Sequence, residues 1–277
     1  MKLRWQSEVP PPAFTLSMAG VVRAGWRGAL IFLVIFGGVI VSVGLRLIER
    51  PFYGLHRPWS PYVTQWVSAT VFRVLGMRHE VVGAPMRAAG AVVANHSSWL
   101  DIFALNARKR VYFVSKSEVA KWPGIGGLAK LVGTVFITRD PKEAKAQTEI
   151  FEARLLAGHK LLFFPEGSST DGMRVLPFKS TLFQAFFSKK LQREIHIQPV
   201  SVIYEAPNGG DPRFYGWWGD MEFGEHLLRV LAVRRNGKVR VVYHPFVKVD
   251  EFESRKALAA WAEDQVRAGM PEDRRGR

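Results

Sequence analysis

The chain contains no cysteine in 277 residues. Disulfides, thiolate metal sites and cysteine nucleophiles are therefore excluded outright. It also lacks a G-x-S-x-G nucleophile elbow, an H-E-x-x-H helix and a phosphate-binding P-loop, and its seven histidines are scattered singly. No metal site is expected from that spacing. Acidic residues are scarce: 24 Asp and Glu face 39 Lys and Arg, a net charge of +15. A surface of that sign attracts anionic partners, whether nucleic acid, anionic lipid or phosphorylated metabolites. Nine Trp and 19 Phe make the chain aromatic as well. Basic plus aromatic suits a membrane interface and would equally suit stacking on single-stranded nucleic acid, so composition alone leaves both open.

Charge is absent from one stretch, Gly28 to Leu45, GALIFLVIFGGVIVSVGL, bounded by Arg27 and Arg46. As a helix it would be roughly 27 Å long at about 1.5 Å per residue, just short of a hydrocarbon core of roughly 30 Å. It lies too far from Met1 for a standard signal peptide and has no A-x-A-like cleavage site, so it reads as retained. A buried core helix is the plainer alternative. Arg23 and Arg27 precede it and Arg46, Arg50 and Arg57 follow, so the positive-inside rule sets no orientation, and it either spans or lies half-inserted. Residues 1–20, with Pro10-Pro11-Pro12, read as a loose leader, and Pro51, Pro58 and Pro61 as helix breakers. Tyr62 to Met77 reads as a second helix. Residues 1–77 are thus expected to form a leader plus a membrane-anchoring helical hairpin, and residues 78–277 a catalytic domain.

From about residue 78, short apolar runs alternate with helical stretches. AVVAN (91–95), VYFVSK (111–116), GTVFITR (133–139), KLLFFP (160–165), IQPVSVIY (197–204) and KVRVVYHPFV (238–247) read as strands. Pro141 to Ala157 reads as a helix capped by Asp140 and closed by Gly158. The pattern predicts an α/β fold: a central mixed, largely parallel sheet flanked by helices. Ligands of such sheets bind beyond the carboxyl ends of strands. GIGGLA (124–129) matches a dinucleotide fingerprint, but KWP precedes it rather than a strand, so no dinucleotide is expected.

Three motifs sit at strand ends. In AVVANHSSWLD, Ser98 can cap the following helix with Asp101 at its third position, which explains both without chemistry. His96 is left over. On one continuous helix, five residues would turn His96 and Asp101 about 140° apart. They can meet only if His96 lies in the turn before the cap and folds back, where Asp101 could take one imidazole nitrogen and free the other as a base. In KLLFFPEGSSTDG, Pro165-Glu166-Gly167 is either a plain turn or a carboxylate in a crevice, where it needs a partner. Arg139 ends the GTVFITR strand and Lys179 follows the Glu166 turn; either alone is ordinarily a solvated charge, and together with His96 they would make an anion site beside an acid–base site.

NHSSWLD, then GTVFITR, then FPEG, then Pro199-Val200 is an order and spacing that resembles the glycerolipid acyltransferase superfamily, whose bacterial type member is 1-acyl-glycerol-3-phosphate acyltransferase. The match covers roughly residues 78–205. His96 and Asp101 match the family's H-x4-D, Gly133, Phe136, Ile137 and Arg139 its second block, and Phe164 to Gly167 its third. The resemblance implies a membrane enzyme that moves an acyl chain from a coenzyme A or acyl-carrier-protein thioester to a lysolipid hydroxyl. It would need no cofactor beyond that co-substrate, no metal and no nucleic-acid partner. The location implied is the bacterial inner membrane, with the catalytic domain on the cytoplasmic side. His96, oriented by Asp101, would act as base, Arg139 would hold the anionic head group, and Glu166, Gly167, Ser168 and Lys179 would line the acceptor pocket.

One departure bears on the acceptor. The family's third block continues Thr-Arg-Ser, whereas this chain has Ser168-Ser169-Thr170, and the paired lysine after Pro-Phe is reduced to Lys179-Ser180. Losing a charge-assisted hydrogen bond costs about 1.5–3 kcal/mol of phosphate affinity. The expected reaction is 1-acyl-glycerol-3-phosphate to phosphatidate, with Arg174 or Arg139 compensating; the alternative acceptor is a lyso-ornithine lipid, whose amino-acid head carries no phosphate. A non-catalytic basic membrane- or nucleic-acid-binding protein is the remote alternative, and it gives no reason for His96, Asp101 and Glu166 to sit at strand ends.

Overall fold

A computed structural model describes residues 5–122, 124–138 and 141–276. The first helix, α1 (Met18–Tyr53), overshoots the apolar stretch at both ends. Ser17 caps it by accepting the Gly20 N–H, and the helix runs two residues past Pro51. Pro51 was expected to break the helix; in the last turn it only forgoes one bond near the helix end. α2 (Ser60–Leu75) follows, with Pro61 in its first turn and Gly76 in the left-handed conformation behind it. The two helices pack closely at Gly38, where a β-carbon would lie 2.5 Å from Val67 Cγ2. Buried Glu49 fixes the corner between them, accepting from the Trp59 and Ser60 N–H groups and from Ser60 Oγ. The outer flank of α1 leaves Phe32, Leu33, Phe36 and Ile40 more than half exposed. An apolar surface of that extent marks a membrane or protein contact, and α1 is long and apolar enough to cross a membrane.

The remainder builds the expected sheet. Its strands are β1 (Arg78–Val82), β2 (Gly90–Ala94), β3 (Tyr112–Lys116), β4 (Val135–Ile137), β5 (Leu161–Phe163), β6 (His196–Glu205), β7 (Lys238–Tyr243) and β8 (Val247–Lys248). The order is β1-β7-β6-β2-β5-β3-β4, with β8 beside β6. All pairings are parallel except β6 with β7 and with β8. β1 is a strand that the apolar runs did not announce, because RHEVV has little apolar character.

The helices between the strands are α3 (Asp101–Asn106), α4 (Ile125–Val132), α5 (Ala144–Leu156) and α6 (Phe223–Ala232), and α7 (Arg255–Ala268) follows the last strand. The helix expected from Pro141 begins as a 3-10 turn, Pro141–Glu143, before α5; its proposed cap, Asp140, lies outside the described residues. α4 follows a 3-10 turn rather than a strand, as the KWP sequence implied. Side chains of β2 alternate between the two halves of the core: Val92 and Ala94 pack with Phe72, Leu75 and Leu105 on one face, and Ala91 and Val93 with Leu155, Phe186 and Val266 on the other. Because both faces are covered, β2 reads as an unbroken apolar run.

The leader is corrected by the structure. Residues 5–17 run extended across the body built on the sheet, tied through Arg213 Nη1 to Pro10 O and Arg229 Nη2 to Pro12 O. The basic residues flanking the apolar stretch are also engaged. Arg23 donates to Ala232 O at 2.8 Å and Arg27 to the carbonyls of Leu231, Val233 and Arg234. These are the unsatisfied carbonyls at the end of α6, which a guanidinium complements. Arg57 donates to Leu131 O at the end of α4 and faces the Tyr112 ring.

Candidate active site

β2, β5, β3 and β6 run parallel side by side, so their carboxyl ends open onto one crevice. Buried Asn95 leaves β2 first. Its amide clips onto β6, accepting the Val202 N–H at 2.7 Å and donating to Val202 O at 2.9 Å. The chain then turns irregularly through His96 to Ser98, and α3 begins at Asp101. That turn brings the five-residue spacing together: His96 Nδ1 lies 2.7 Å from Asp101 Oδ2. A carboxylate carries no proton to give, so Nδ1 donates and Nε2 is the basic nitrogen.

Asp101 is fully buried, and its charge is met from every side. Oδ2 also accepts the Ser97 and Ser98 N–H groups at 2.9 and 3.0 Å. Oδ1 accepts the Tyr204 hydroxyl at 2.8 Å. The capping reading thus holds in one half: Asp101 reaches back to the Ser98 amide, but Ser98 Oγ accepts from Leu100 N at 3.3 Å rather than from the amide of Asp101. Burial and the neighbouring Asp101 carboxylate push the Tyr204 phenol well up, so it stays a donor. The His96 ring stacks on Phe164 at 4.1 Å, nearly parallel, and its side chain keeps 22% exposure.

Glu166 is a strut under this pair. Oε1 accepts the His96 N–H at 2.7 Å and Oε2 the Leu176 N–H at 2.9 Å. The carbonyl of His96 is taken by the Thr170 N–H. The partner that a buried carboxylate demands is therefore backbone, not a cation. Burial pushes Glu166 up from 4.5 to about 8, against the opposing pull of those two amides. The folded protein then binds this proton more tightly than the unfolded chain, so the stability it contributes is complete below about 4.5 and lost as pH rises through about 8. The thermal midpoint of the detergent-solubilised protein should accordingly decline between pH 5 and 9, and Glu166→Gln should lack that component of the decline. Equal pH slopes in the two proteins would contradict the assignment.

Gly167 has φ +72°, and a β-carbon there would lie 2.5 Å from Lys179 Nζ. The turn therefore needs glycine for its backbone, and the flexible end of Lys179 fills the space beside it. Lys116, at the end of β3, donates to Gly167 O at 2.8 Å. Ser168 Oγ accepts the Trp5 N–H at 3.1 Å. His96, Asp101, Glu166, Gly167 and Lys179 are thus brought together with Ser168 beside them, whereas Arg139 lies outside the described residues. Arg174, one of the two candidate compensators, is ion-paired to Asp171 at 3.6 Å. Sequence reasoning missed Tyr204, Asn95 and Lys116. A buried Asn directly after an apolar run was the only signal among the three, since it must find partners.

A base oriented by a buried carboxylate, with no serine hydroxyl bonded to it among the described residues, can deprotonate a hydroxyl for direct attack on an acyl carbon. Comparison with known proteins bears on the class of reaction. A family model described as Acyltransferase matches residues 79–203. The chain is 55% identical over 266 residues to the lyso-ornithine lipid O-acyltransferase of Rhodobacter capsulatus, covering 96% of each protein. It is 30% identical over 183 residues to the 1-acyl-sn-glycerol-3-phosphate acyltransferase of Neisseria meningitidis, covering 66% of this chain and 69% of that protein. The crystal structure of the 1-acyl-sn-glycerophosphate acyltransferase of Thermotoga maritima shares the fold, with a TM-score of 0.58 at 22% identity over 88% of this chain and 95% of that one. The crevice at the ends of β2 and β5 therefore sits in an acyltransferase, and the chain belongs to the glycerolipid acyltransferase superfamily.

Proposed function

We propose that the protein is a lyso-ornithine lipid O-acyltransferase. It would move a fatty acyl chain from an acyl-carrier-protein or coenzyme A thioester to the free hydroxyl of the lysolipid. The observation that carries the acyl-transfer reading is the 2.7 Å pair of His96 and Asp101 with Nε2 uncommitted. In the step proposed, Nε2 takes the proton of the acceptor hydroxyl as its oxygen attacks the thioester carbonyl. The carbon–sulfur bond then breaks, and the leaving thiolate takes up the proton from the imidazolium. Asp101 holds the ring in the productive tautomer and stabilises the imidazolium between the two transfers.

The choice of acceptor rests on the relative from Rhodobacter capsulatus and on Ser168-Ser169-Thr170, which offers no guanidinium to a phosphate. The first expectation, lysophosphatidate, is supported by relatives of lower identity. The apolar flank of α1 supports a seat on the membrane that holds the acceptor, and a thioester donor made in the cytoplasm would favour a catalytic domain on the cytoplasmic face of the bacterial inner membrane. Membranes containing the protein, offered both acceptors in competition, should yield ornithine lipid and little phosphatidate. Phosphatidate as the only product would overturn the acceptor assignment.

A further inference from the structure

We propose that the extended N-terminal segment forms one wall of the acceptor head-group pocket, and that Trp5 is a specificity-determining residue favouring a zwitterionic amino-acid head over a phosphate monoester. The proposal rests on the acyl-acceptor reading above and extends it to residues outside the family blocks. The segment does not drape loosely over the domain. Its first described residues converge on the turn that departs from the family, Ser168 to Asp171. The Trp5 N–H donates to Ser168 Oγ at 3.1 Å, and the Trp5 ring covers the Arg174 guanidinium at 5.0 Å. Ser7 Oγ reaches Asp171 Oδ2 at 3.4 Å, and Gln6 Nε2 donates to Asp220 Oδ2 at 3.0 Å.

Two consequences follow for a ligand at this turn. First, Arg174, which could have replaced the missing family arginine, is taken by Asp171 on one side and Trp5 on the other. A guanidinium held between a carboxylate and an indole face is attracted to both, which weakens its pull on an incoming anion although part of it stays exposed. Second, the turn is dipolar. Lys116 and Lys179 lie against Gly167 at its start, and buried Asp171 closes its end. Asp171 is offset by Arg174 at 3.6 Å, so this end offers a carboxylate–guanidinium pair that can exchange partners with a head bearing both ammonium and carboxylate, while a phosphate dianion meets a cation already engaged. Ser168 and Trp5 stand between the two ends.

The test is kinetic, on the full-length protein in membranes, with lyso-ornithine lipid and lysophosphatidate as acceptors. Trp5→Ala should raise KM for lyso-ornithine lipid about three- to tenfold with kcat within about twofold, the size expected for losing one ring–cation contact and loosening one hydrogen bond. Its preference over lysophosphatidate should narrow by at least that factor, because uncovering Arg174 also favours the phosphate. Trp5→Phe, which keeps a ring over Arg174, should retain most of the preference. A wild-type protein that acylates lysophosphatidate alone would overturn the acceptor assignment whatever Trp5 does. A wild type that prefers lyso-ornithine lipid, with Trp5→Ala leaving that preference unmoved or lowering both acceptors equally, would overturn the wall and leave the acceptor standing.

Discussion

His96→Ala is expected to lower kcat for acyl transfer by about 10²–10⁴-fold, the range for removing a positioned general base, while leaving the fold and membrane attachment intact. The reason for the second half is specific. The peptide group of His96 is what the surrounding structure grips: Glu166 and Thr170 hold its N–H and carbonyl. Alanine keeps both bonds, and the side chain it lacks is half-buried rather than part of the core. The missing ring leaves Phe164 without its stacking partner, a local loss. The check is the rate of acyl transfer beside the membrane-bound fraction and the melting temperature. A variant retaining a tenth of wild-type kcat would remove His96 from the chemistry.

Asp101→Asn is the second large effect. The carboxylate accepts three N–H donors on Oδ2 and a hydroxyl on Oδ1. An asparagine fits the same space in only one orientation: its oxygen must face the three N–H donors, and its NH₂ then faces the Tyr204 hydroxyl, which can turn to accept. The geometry survives and the charge does not. The imidazolium formed during transfer loses its counter-charge, for which a kcat loss on the order of 10³–10⁴ is the precedent in hydrolytic triads, with KM little changed. Neutral hydrogen bonds replacing charge-assisted ones should also cost about 1–2 kcal/mol of stability. A loss of stability without a loss of kcat would make Asp101 a helix cap and nothing more.

The parts of the site that were legible in the sequence share a physical cause: they sit where a strong pattern stops. His96 and Glu166 each follow a buried apolar strand, and a polar residue at such a point needs an explanation. What supports them was not legible. Glu166 is satisfied by two backbone amides, which have no sequence signature. Tyr204 reaches Asp101 across 103 positions from inside an apolar strand, where its ring reads as core. Arg23 and Arg27 were counted as charges flanking an apolar helix, a sound inference from composition. Their actual partners are carbonyls at the end of α6, and helix ends advertise unsatisfied carbonyls only once the fold is known. The Pro-rich leader carries no periodicity, so nothing in it foretold that residues 5–12 run along the catalytic domain.

Those arginines have a mechanical meaning for the enzyme at work. The apolar helix is moored near its start, through Arg23 and Arg27, to α6, and the corner after its end is moored, through Arg57, to α4. It is not a leash on which a catalytic domain swings. Hull and engine move together: whatever depth and tilt the apolar flank takes in the lipid, the crevice holding His96 takes a fixed height and heading above it. On the proposed mechanism an acceptor would then have one set distance to rise from the bilayer before its hydroxyl met Nε2. Lengthening its acyl chain would tax that climb, whereas residues added between α1 and α2 would change little, because Arg23, Arg27 and Arg57 already tie the helix and its corner to α6 and α4.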